Sequence, residues 1–322
     1  MNATAKVIVH TDDPVPLARM LRLDHPDVEF VTCDTYGGMS ALVPAFRPDV
    51  IYSINFAGKK GFPRDVMLGP GGASWVSVGG SGVDHLGGWD ASRTTVTNSA
   101  GVAAGMMAEY VIGALLHFTL DVAGLVRDRR SRTWSARQMK PLSGGTMLVV
   151  GLGHTGRAVA ARAKSLGLRV VGTRAHPRPT ENVDDVHSSA DLPDLLPGAD
   201  FVVVCAPLLA STKGLIGQQA FDAMKPGALL VDVSRGGVVR QDALIKALRD
   251  GRLGGAALDV FETEPLPQDS QLWELENVLI SPHCSGVFDG WDRESARMFS
   301  ENLQRWKRGE TLENIVDPLR GY

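Results

Sequence analysis

The chain has 322 residues, of which 44% are hydrophobic and 21% are charged. These values are close to those of an average globular protein and exclude wholesale disorder. Lysine and arginine total 33 and aspartate and glutamate total 36, for a formal net charge of -3, which argues against nucleic acid as a general partner. The three widely spaced cysteines predict neither a disulfide framework nor a bound metal.

The first part of the chain alternates short apolar runs with a helical pattern. A helix is predicted at 16–23, between two predicted strands. Strands that alternate with helices are typical of parallel βαβ units. The predicted strands of this part are 6–10, 28–32, 50–54 and 75–78.

Residues 104–120 are mostly apolar and predict a long helix that is buried on several sides. Residues 121–141 are charged and polar, which predicts a solvated helix and a connector. The longest apolar stretch falls far short of the ~20 residues that cross a membrane, and the amino terminus lacks the pattern of a signal peptide. We therefore expect a cytoplasmic protein that does not bind a membrane.

Continuous apolar runs dominate the rest of the chain and predict a parallel sheet that is covered on both faces. A helix is predicted at 157–166, and an amphipathic helix followed by a tail within 290–322. Together with the first part, this pattern predicts an α/β protein with two doubly wound parallel-sheet domains. The predicted strands of the second domain are 146–150, 169–172, 201–205, 229–233, 255–259 and 278–281.

Glycine is over-represented, with 36 residues, or about 11% against the ~7% of average proteins. The sequence GLGHTG directly follows the predicted strand 146–150 and precedes a predicted helix. In this position Gly151 permits a tight turn, Gly153 lets a pyrophosphate approach the backbone, and Gly156 lets the helix pack closely. The helix N-terminus adds free N–H groups. This context favours a dinucleotide site over an ordinary tight turn.

The end of the next strand bears on the choice of cofactor. An NAD site usually has an acidic residue about 20 residues after the glycines, where it binds the ribose hydroxyls. Here the sequence reads GTRAHPR over residues 172–178, without an acid. Arg174, with Arg178 or His176, is suited to bind a 2′-phosphate. The sequence therefore predicts that NADP(H) is preferred over NAD(H).

Three chemically useful side chains follow successive predicted strands. Arg235 comes after 229–233, Glu264 after 255–259, and His283 after 278–281. The carboxyl ends of parallel strands meet at one edge of the sheet, where ligands of such sheets bind. A nicotinamide enzyme that acts on a carbonyl needs a proton donor and a cation that polarises the carbonyl.

These segments carry a family resemblance. The sequences VDVSRGGVV, LDVFETEPLP and NVLISPH, in this order after GLGHTG, resemble the D-isomer-specific 2-hydroxyacid dehydrogenase family. The segment GTRAHPRP is similar to NADP-type members in the glyoxylate/hydroxypyruvate reductase branch. The resemblance extends to VGGSGVDHL, NSAGVAAGMMAEYV and the C-terminal segment, whereas residues 1–74 match in pattern only.

The resemblance implies a role for each residue of the strand ends. His283 would be the acid and base, Glu264 would orient its imidazole, and Arg235 would bind the substrate carboxylate and polarise the keto oxygen. The backbone N–H groups of Gly80 and Ser81 would hold the carboxylate as well. The implied substrate-binding residues are Phe56, Ala57, Gly80, Ser81, Arg235 and His283. The implied cofactor-binding residues are Met106, Gly151, Gly153, His154, Thr155, Gly156, Thr173, Arg174, Arg178, Ala206, Pro207, Thr212, Val233, Arg235, Asp259, His283, Ser285 and Gly286.

The family pattern also implies a domain organisation. A Rossmann cofactor domain, residues 99–287, would be inserted in a flavodoxin-like substrate domain made of residues 1–98 and 288–322. A homodimer would form through the cofactor domain, with Trp134 on an arm near the interface. The expected activity is reversible NAD(P)H-dependent reduction of a small 2-keto acid to a D-2-hydroxy acid. The alternative is a catalytically weak, dinucleotide-sensing binding protein of the corepressor type, which can keep all three catalytic residues.

Overall fold

The computed structural model describes residues 4–54 and 60–318. The chain divides into two compact units, the first formed by Met1–Val102 with Phe288–Tyr322 and the second by Ala103–Val287. The first boundary differs from the predicted one because residues after Asn98 bond within the first unit. The N–H of Ser99 donates to the carbonyl of Gly80 at 3.0 Å, and Asn314 Nδ2 donates to the carbonyl of Ala100 at 3.0 Å.

The first unit holds a parallel sheet of five strands in the order β2-β1-β3-β4-β5, which is the flavodoxin-like order. Side chains alternate between its faces: Val7 and Val9 of β1 pack with α1 and α10, whereas Ile8 packs with α2 and α3. Its elements are β1 (Lys6–His10), α1 (Pro14–Asp24), β2 (Glu29–Cys33), α2 (Tyr36–Phe46), β3 (Val50–Ser53), α3 (Arg64–Leu68), β4 (Trp75–Val78), β5 (Thr95–Asn98) and α10 (Trp291–Lys307).

The second unit holds a parallel sheet of seven strands in the order β12-β11-β10-β9-β6-β7-β8, which is a Rossmann order extended by one strand. Its elements are α4 (Ala104–Thr119), α5 (Val122–Ser131), β6 (Thr146–Val150), α6 (His154–Ser165), β7 (Arg169–Thr173), β8 (Asp185–His187), α7 (Leu192–Leu195), β9 (Phe201–Val204), α8 (Gln218–Ala223), β10 (Ala228–Asp232), α9 (Gln241–Arg249), β11 (Leu253–Leu258) and β12 (Val278–Ile280).

Helices cover both faces of the second sheet. Met147 and Val149 of β6 pack with α4 and α6, and the intervening Leu148 packs with α7, α8 and α9. Every residue of β9 and of β10 is buried, as expected for strands that are covered on both sides. The order in which the chain adds strands reverses between β6 and β9, directly beside the glycine-rich turn that follows β6.

The prediction of the α/β fold with two parallel sheets is confirmed, and the strands 6–10, 75–78 and 146–150 have the predicted bounds. Two short strands, β5 and β8, and the helices α2 and α3 were not predicted. Among the described residues, no single helix is both long and apolar enough to cross a membrane. One bent pair, α4 with α5 at 55°, passes that test of length and composition only when the two helices are joined.

Candidate active site

The turn between β6 and α6 is built from three glycines with three different surroundings. Gly151 has a φ of 101°, a value that favours glycine, and a Cβ there would lie 2.9 Å from the backbone nitrogen of Ala206. A Cβ on Gly156 would lie 2.0 Å from the carbonyl oxygen of Gly151. A Cβ on Gly153 would meet nothing within 4 Å. The protein therefore leaves open the space over Gly153 that a pyrophosphate requires.

His154 and Thr155 form the first turn of α6 beside this open space. Partial burial and the charge of Arg157 lower the pKa of the His154 imidazole, which favours its neutral form. The hydroxyl of Thr155 lies 3.5 Å from the sulfur of Met107. This contact connects the first turn of α6 to α4.

Thr173, the last residue of β7, has a buried hydroxyl group that bears on ligand binding. The carbonyl of Thr173 accepts hydrogen bonds from the N–H groups of Gly151 at 3.1 Å and Leu152 at 3.0 Å. Its Oγ1 is buried and has no hydrogen-bond partner among the described residues. A buried hydroxyl without a partner costs free energy until a polar ligand or water pairs with it. This atom thus fits a polar group of a dinucleotide bound at the glycine turn.

Three arginines lie together at this strand end. Arg174 directly follows β7, Arg178 lies in the loop beyond, and Arg157 lies on α6. Partial burial and then the positive charges of Arg178 and Arg157 lower the pKa of the Arg174 guanidinium. Within residues 4–54 and 60–318, none of the three side chains forms an ion pair or a hydrogen bond. The cluster therefore has the charge and the free donors to bind an anion such as a 2′-phosphate.

Glu264 and His283 are hydrogen bonded at the ends of β11 and β12. Glu264 Oε2 accepts a hydrogen bond from His283 Nδ1 at 2.8 Å, and its Oε1 accepts one from the N–H of Phe261 at 3.0 Å. A carboxylate can only accept hydrogen bonds, so the Nδ1 atom of His283 must carry the proton. The imidazole is 44% exposed, and its Nε2 bonds to nothing in the described part of the chain. Nε2 is therefore available to a ligand.

Arg235 follows β10 at the same edge of the sheet. The strands β10, β11 and β12 are neighbours, so the strands that precede Arg235 and His283 are two strand spacings apart, or ~10 Å. Arg235 Nη1 donates to the carbonyl of Ser234 at 2.8 Å. A Cβ on Gly236 would lie 1.8 Å from the carbonyl oxygen of Phe261, so the turn after β10 packs directly on the turn after β11.

Two buried carboxyl groups lie below these turns. Burial raises the pKa of Asp232 to about 7, and the nearby charge of Asp259 adds to the effect. Asp232 Oδ1 accepts hydrogen bonds from the hydroxyl of Ser234 at 2.5 Å and from its N–H at 3.0 Å. These bonds fix the backbone immediately before Arg235.

Asp259 holds the loop that carries His283. Its Oδ1 accepts from the N–H groups of Cys284 at 2.8 Å and Ser285 at 3.1 Å, and from the hydroxyl of Ser281 at 2.5 Å. His283 itself has a φ of 51°, an uncommon conformation for a residue with a side chain. The bonds on either side of His283 hold the loop in this conformation.

Sequence reasoning missed the support that α4 gives to this loop. Tyr110 Oη and Ser281 Oγ are 2.8 Å apart, and burial raises the pKa of the Tyr110 phenol to about 12. Tyr110 lies in the segment NSAGVAAGMMAEYV, but the sequence predicted no role for it or for Arg157, because their contacts depend on which helix faces the site. The nearest signal was the position of Arg157 directly after the third glycine.

The other predicted cofactor residues surround the same edge. Ala206 and Val233 are buried after β9 and β10, and Ser285 is buried in the loop after β12. The hydroxyl of Thr212 donates to the carbonyl of Pro207 at 2.6 Å, so it holds its own turn. Met106 is half-buried on α4. A Cβ on Gly286 would lie 3.4 Å from Cγ of Met107, so Met107 packs against this loop.

The predicted substrate residues of the first unit follow its central strands. Gly80 is half-buried and Ser81 is exposed in the turn after β4. Phe56 and Ala57 lie outside the described residues.

The chain is similar to known proteins of one family. Residues 112–285 match the family model described as D-isomer specific 2-hydroxyacid dehydrogenase, NAD binding domain. A glyoxylate reductase of Korarchaeum cryptofilum is 37% identical over 228 residues, which are 69% of each chain.

Two solved structures are similar over nearly the whole chain. A family protein from Aeromonas salmonicida has a TM-score of 0.87 and 29% identity, and covers 98% of this chain and 100% of its own. A D-isomer specific 2-hydroxyacid dehydrogenase from Xanthobacter autotrophicus was solved in complex with NADPH and MES. It has a TM-score of 0.84 and 31% identity, and the match covers 99% of this chain and 100% of the other. From its sequence and its fold, this chain belongs to the D-isomer specific 2-hydroxyacid dehydrogenase family of oxidoreductases and carries that family's NAD-binding Rossmann domain.

Proposed function

We propose that the protein catalyses the reversible, NADPH-dependent reduction of a small 2-keto acid, of the glyoxylate or hydroxypyruvate type, to the D-2-hydroxy acid. The observation that carries this proposal is the hydrogen-bonded pair of Glu264 and His283, at 2.8 Å, with Arg235 on the neighbouring strand end. The likeness to a glyoxylate reductase supports the choice of substrate class.

His283 supplies the proton. Because Glu264 holds the proton of Nδ1, a protonated imidazole donates from Nε2, and the keto oxygen receives that proton during reduction. The charge of Glu264 stabilises the imidazolium that reacts. In the reverse direction the same Nε2 accepts the hydroxyl proton.

Arg235 supplies positive charge where negative charge develops. Its planar guanidinium binds a carboxylate through two donors and stabilises charge on the keto oxygen. We propose that the backbone N–H groups of Gly80 and Ser81 bind the carboxylate of the substrate as well.

The bound nicotinamide supplies the hydride that is transferred to the carbon of the keto group. The residues of the chain fit this group: Gly153 leaves space for the pyrophosphate, and the buried hydroxyl of Thr173 lacks a partner in the described ranges. The charge of Arg157, Arg174 and Arg178 supports NADP(H) over NAD(H), as does the NADPH bound to a similar enzyme.

The test is a kinetic panel of glyoxylate, hydroxypyruvate and bulkier 2-keto acids with NADPH and with NADH. We expect turnover of the small acids and a kcat/KM at least tenfold higher with NADPH. Equal constants with the two cofactors would contradict the NADP(H) preference. Tight NADPH binding without consumption across the panel would favour the sensor alternative instead. The homodimer and the cytoplasmic location stay predictions.

A further inference from the structure

The turn after β4, residues 79–82, directs its carbonyl groups into the first unit. The carbonyl of Gly79 accepts a hydrogen bond from Ser295 Oγ at 2.8 Å. The carbonyl of Gly80 accepts one from the N–H of Ser99 at 3.0 Å, and that of Ser81 accepts one from Asn98 Nδ2 at 2.7 Å. Three consecutive carbonyl groups are thus bonded to the protein interior.

This arrangement fixes the direction of the N–H groups. In a trans peptide the N–H points opposite to the carbonyl of the preceding residue, and the peptides of this turn are trans. The N–H groups of Gly80, Ser81 and Gly82 therefore point away from the interior. None of the three has an acceptor among residues 4–54 and 60–318. Successive N–H groups of this kind form an anion-binding concavity.

Ser295 lies at the centre of the bonds that hold this turn. It is fully buried on α10, and its Oγ lies 2.8 Å from Tyr52 Oη and 2.9 Å from Ser99 Oγ. A hydroxyl donates one hydrogen bond and accepts two. Ser295 can therefore donate to the carbonyl of Gly79 while it accepts from Tyr52. The Ser99 hydroxyl lies within hydrogen-bond distance of Ser295 Oγ and also of the carbonyl of Val78, to which it donates at 3.2 Å. Burial raises the pKa of the Tyr52 phenol, so Tyr52 remains a donor at any working pH.

The turn is closely packed at Gly79. A Cβ on Gly79 would lie 2.5 Å from Cγ1 of Ile54 and 3.2 Å from Ser295 Oγ. The backbone of Gly79 is therefore packed against Ile54 and Ser295. Loss of the Ser295 hydroxyl leaves the Gly79 carbonyl buried without its donor, which favours rotation of the peptide towards another partner.

We propose that Ser295, supported by Tyr52 and Ser99, is a positioning residue that aims the N–H groups of Gly80, Ser81 and Gly82 at the carboxylate of the substrate. The inference rests on the proposed function in one respect: the anion is taken to be the carboxylate of a 2-keto acid. It adds Gly82 as a third donor. It also assigns a role to Ser295, which is 216 positions from Gly79 in the sequence.

The test compares Ser295→Ala with Ser300→Ala. Ser300 is also a buried serine of α10, but its hydroxyl lies 2.9 Å from His25 Nε2 and 3.1 Å from Asp24 Oδ2, on the side of α1. We expect Ser295→Ala to raise the KM for the keto acid at least tenfold, with kcat changed less than threefold and the KM for NADPH unchanged. Ser300→Ala should leave all three constants unchanged.

Two further measurements keep the proposal testable. If Ser295→Ala fails to fold, Tyr52→Phe removes one donor to Ser295 and should raise the KM for the keto acid about threefold. Oxalate binding, measured by calorimetry, does not require turnover. The wild-type protein could fail to reduce any keto acid while Ser295→Ala, but not Ser300→Ala, binds oxalate more weakly than wild type. That result would support the positioning role and contradict the proposed function. Equal oxalate affinity and equal KM in wild type and Ser295→Ala would overturn the positioning role.

Discussion

The imidazole of His283 is 44% exposed and bonded to Glu264, whereas that of His10 is fully buried and lies 2.8 Å from the hydroxyl of Ser53. The difference in solvent access decides what each ring can do. A catalytic imidazole must exchange its proton with substrate and water. The ring of His10 packs against aromatic neighbours, with centroid distances of 5.6 Å to Tyr36 and 6.3 Å to Phe62.

Removal of the acid or of its partner should slow the reaction to different extents. We expect His283→Ala to lower kcat/KM by at least ~100-fold, the scale of one lost acid or base. Glu264→Gln keeps an acceptor for Nδ1 but loses the charge, and should lower kcat/KM by ~10-fold. Steady-state kinetics with the small keto acids measure both effects.

Glu262→Gln is the matched control, because Glu262 Oε1 accepts from the N–H of Gln241 at 3.0 Å and a glutamine keeps this bond. It should have wild-type activity. Near-wild-type turnover by His283→Ala would reject the assignment.

The preference for NADPH should depend on Arg174. Arg174→Ser removes a donor and a charge from the site proposed for the 2′-phosphate, so we expect the KM for NADPH to rise at least tenfold. The KM for NADH should change less than threefold. Arg169→Ser is the control, since Arg169 lies on the same strand but pairs with Asp185 at 2.6 Å. If Arg174→Ser raised the KM for NADPH and the KM for NADH by the same factor, Arg174 would not bind the 2′-phosphate.

At the scale of elements, the long apolar runs were predictable because burial on both faces of a sheet requires them. The short elements were not: β8 has three residues, and β5 carries the polar sequence TVTN. The helix α2 contains Gly37, Gly38 and Pro44, which disfavour helices in isolation. These elements form because the neighbouring strands and the core position them, which no local pattern encodes.

The same distinction holds for the site. The glycine turn and the three side chains after β10, β11 and β12 could be predicted, because each follows a recognisable strand at a short distance in the sequence. The supports from Tyr110, Ser281 and Ser295 are contacts between segments that are distant in sequence, with separations of 171 for Tyr110 with Ser281 and 216 for Ser295 with Gly79. Only the fold brings these residues together.

The glycines of the turn between β6 and α6 should respond differently to a methyl group. Gly156→Ala places a Cβ 2.0 Å from a carbonyl oxygen, so it should lower the melting temperature by several degrees as well as cofactor affinity. The Cβ of Gly153→Ala would meet no atom of the described residues within 4 Å, so this variant should keep its stability but bind NADPH at least tenfold more weakly. Thermal unfolding and NADPH fluorescence titration separate the two effects.

Gly198→Ala is the control, since its Cβ also meets nothing within 4 Å and it lies outside the turn. It should match wild type in both measurements. Undiminished NADPH affinity in Gly153→Ala would contradict the placement of the pyrophosphate over this residue.

At the scale of the whole molecule, each unit has its own parallel sheet, and each places candidate site residues after the carboxyl ends of its strands. The first sheet has Gly80 and Ser81 after β4, and the second has Arg235, Glu264 and His283 after β10, β11 and β12. Trp134, which the family resemblance puts near a dimer interface, is fully exposed on the single chain. Its role in a homodimer stays a prediction.

The stability of the molecule should fall in acid because of His10. Burial lowers the pKa of His10 to about 4 from 6.5, against the opposing effects of Thr35 and Asp34. Between pH 6.5 and pH 4 the His10 side chain is protonated in the unfolded chain but not in the folded chain. Its contribution to the free energy of unfolding is therefore fully present above pH 6.5 and is lost as the pH falls to 4. The full loss from this residue is about 3 kcal/mol.

Unfolding of wild type and His10→Gln at pH 7.5, 5.5 and 4.5 measures this effect. The glutamine does not titrate, so the variant should lose less stability than wild type as the pH falls. Burial also lowers the pKa of His25, and that contribution is common to both proteins and cancels in the difference. Identical pH dependence would contradict a neutral, buried His10.

The helix α10 completes the first unit, although it is encoded after the whole of the second. Its Phe299 and Leu303 cover β1, β3 and β4, and its Ser295 anchors the turn after β4. During translation, domains generally fold as units once they have emerged. The second unit can therefore fold while the first still lacks one face of its core. If Ser295 positions the turn after β4 as proposed, this turn acquires its final shape only when α10 has left the ribosome. A chain truncated before α10 should then bind dinucleotide without reducing a 2-keto acid.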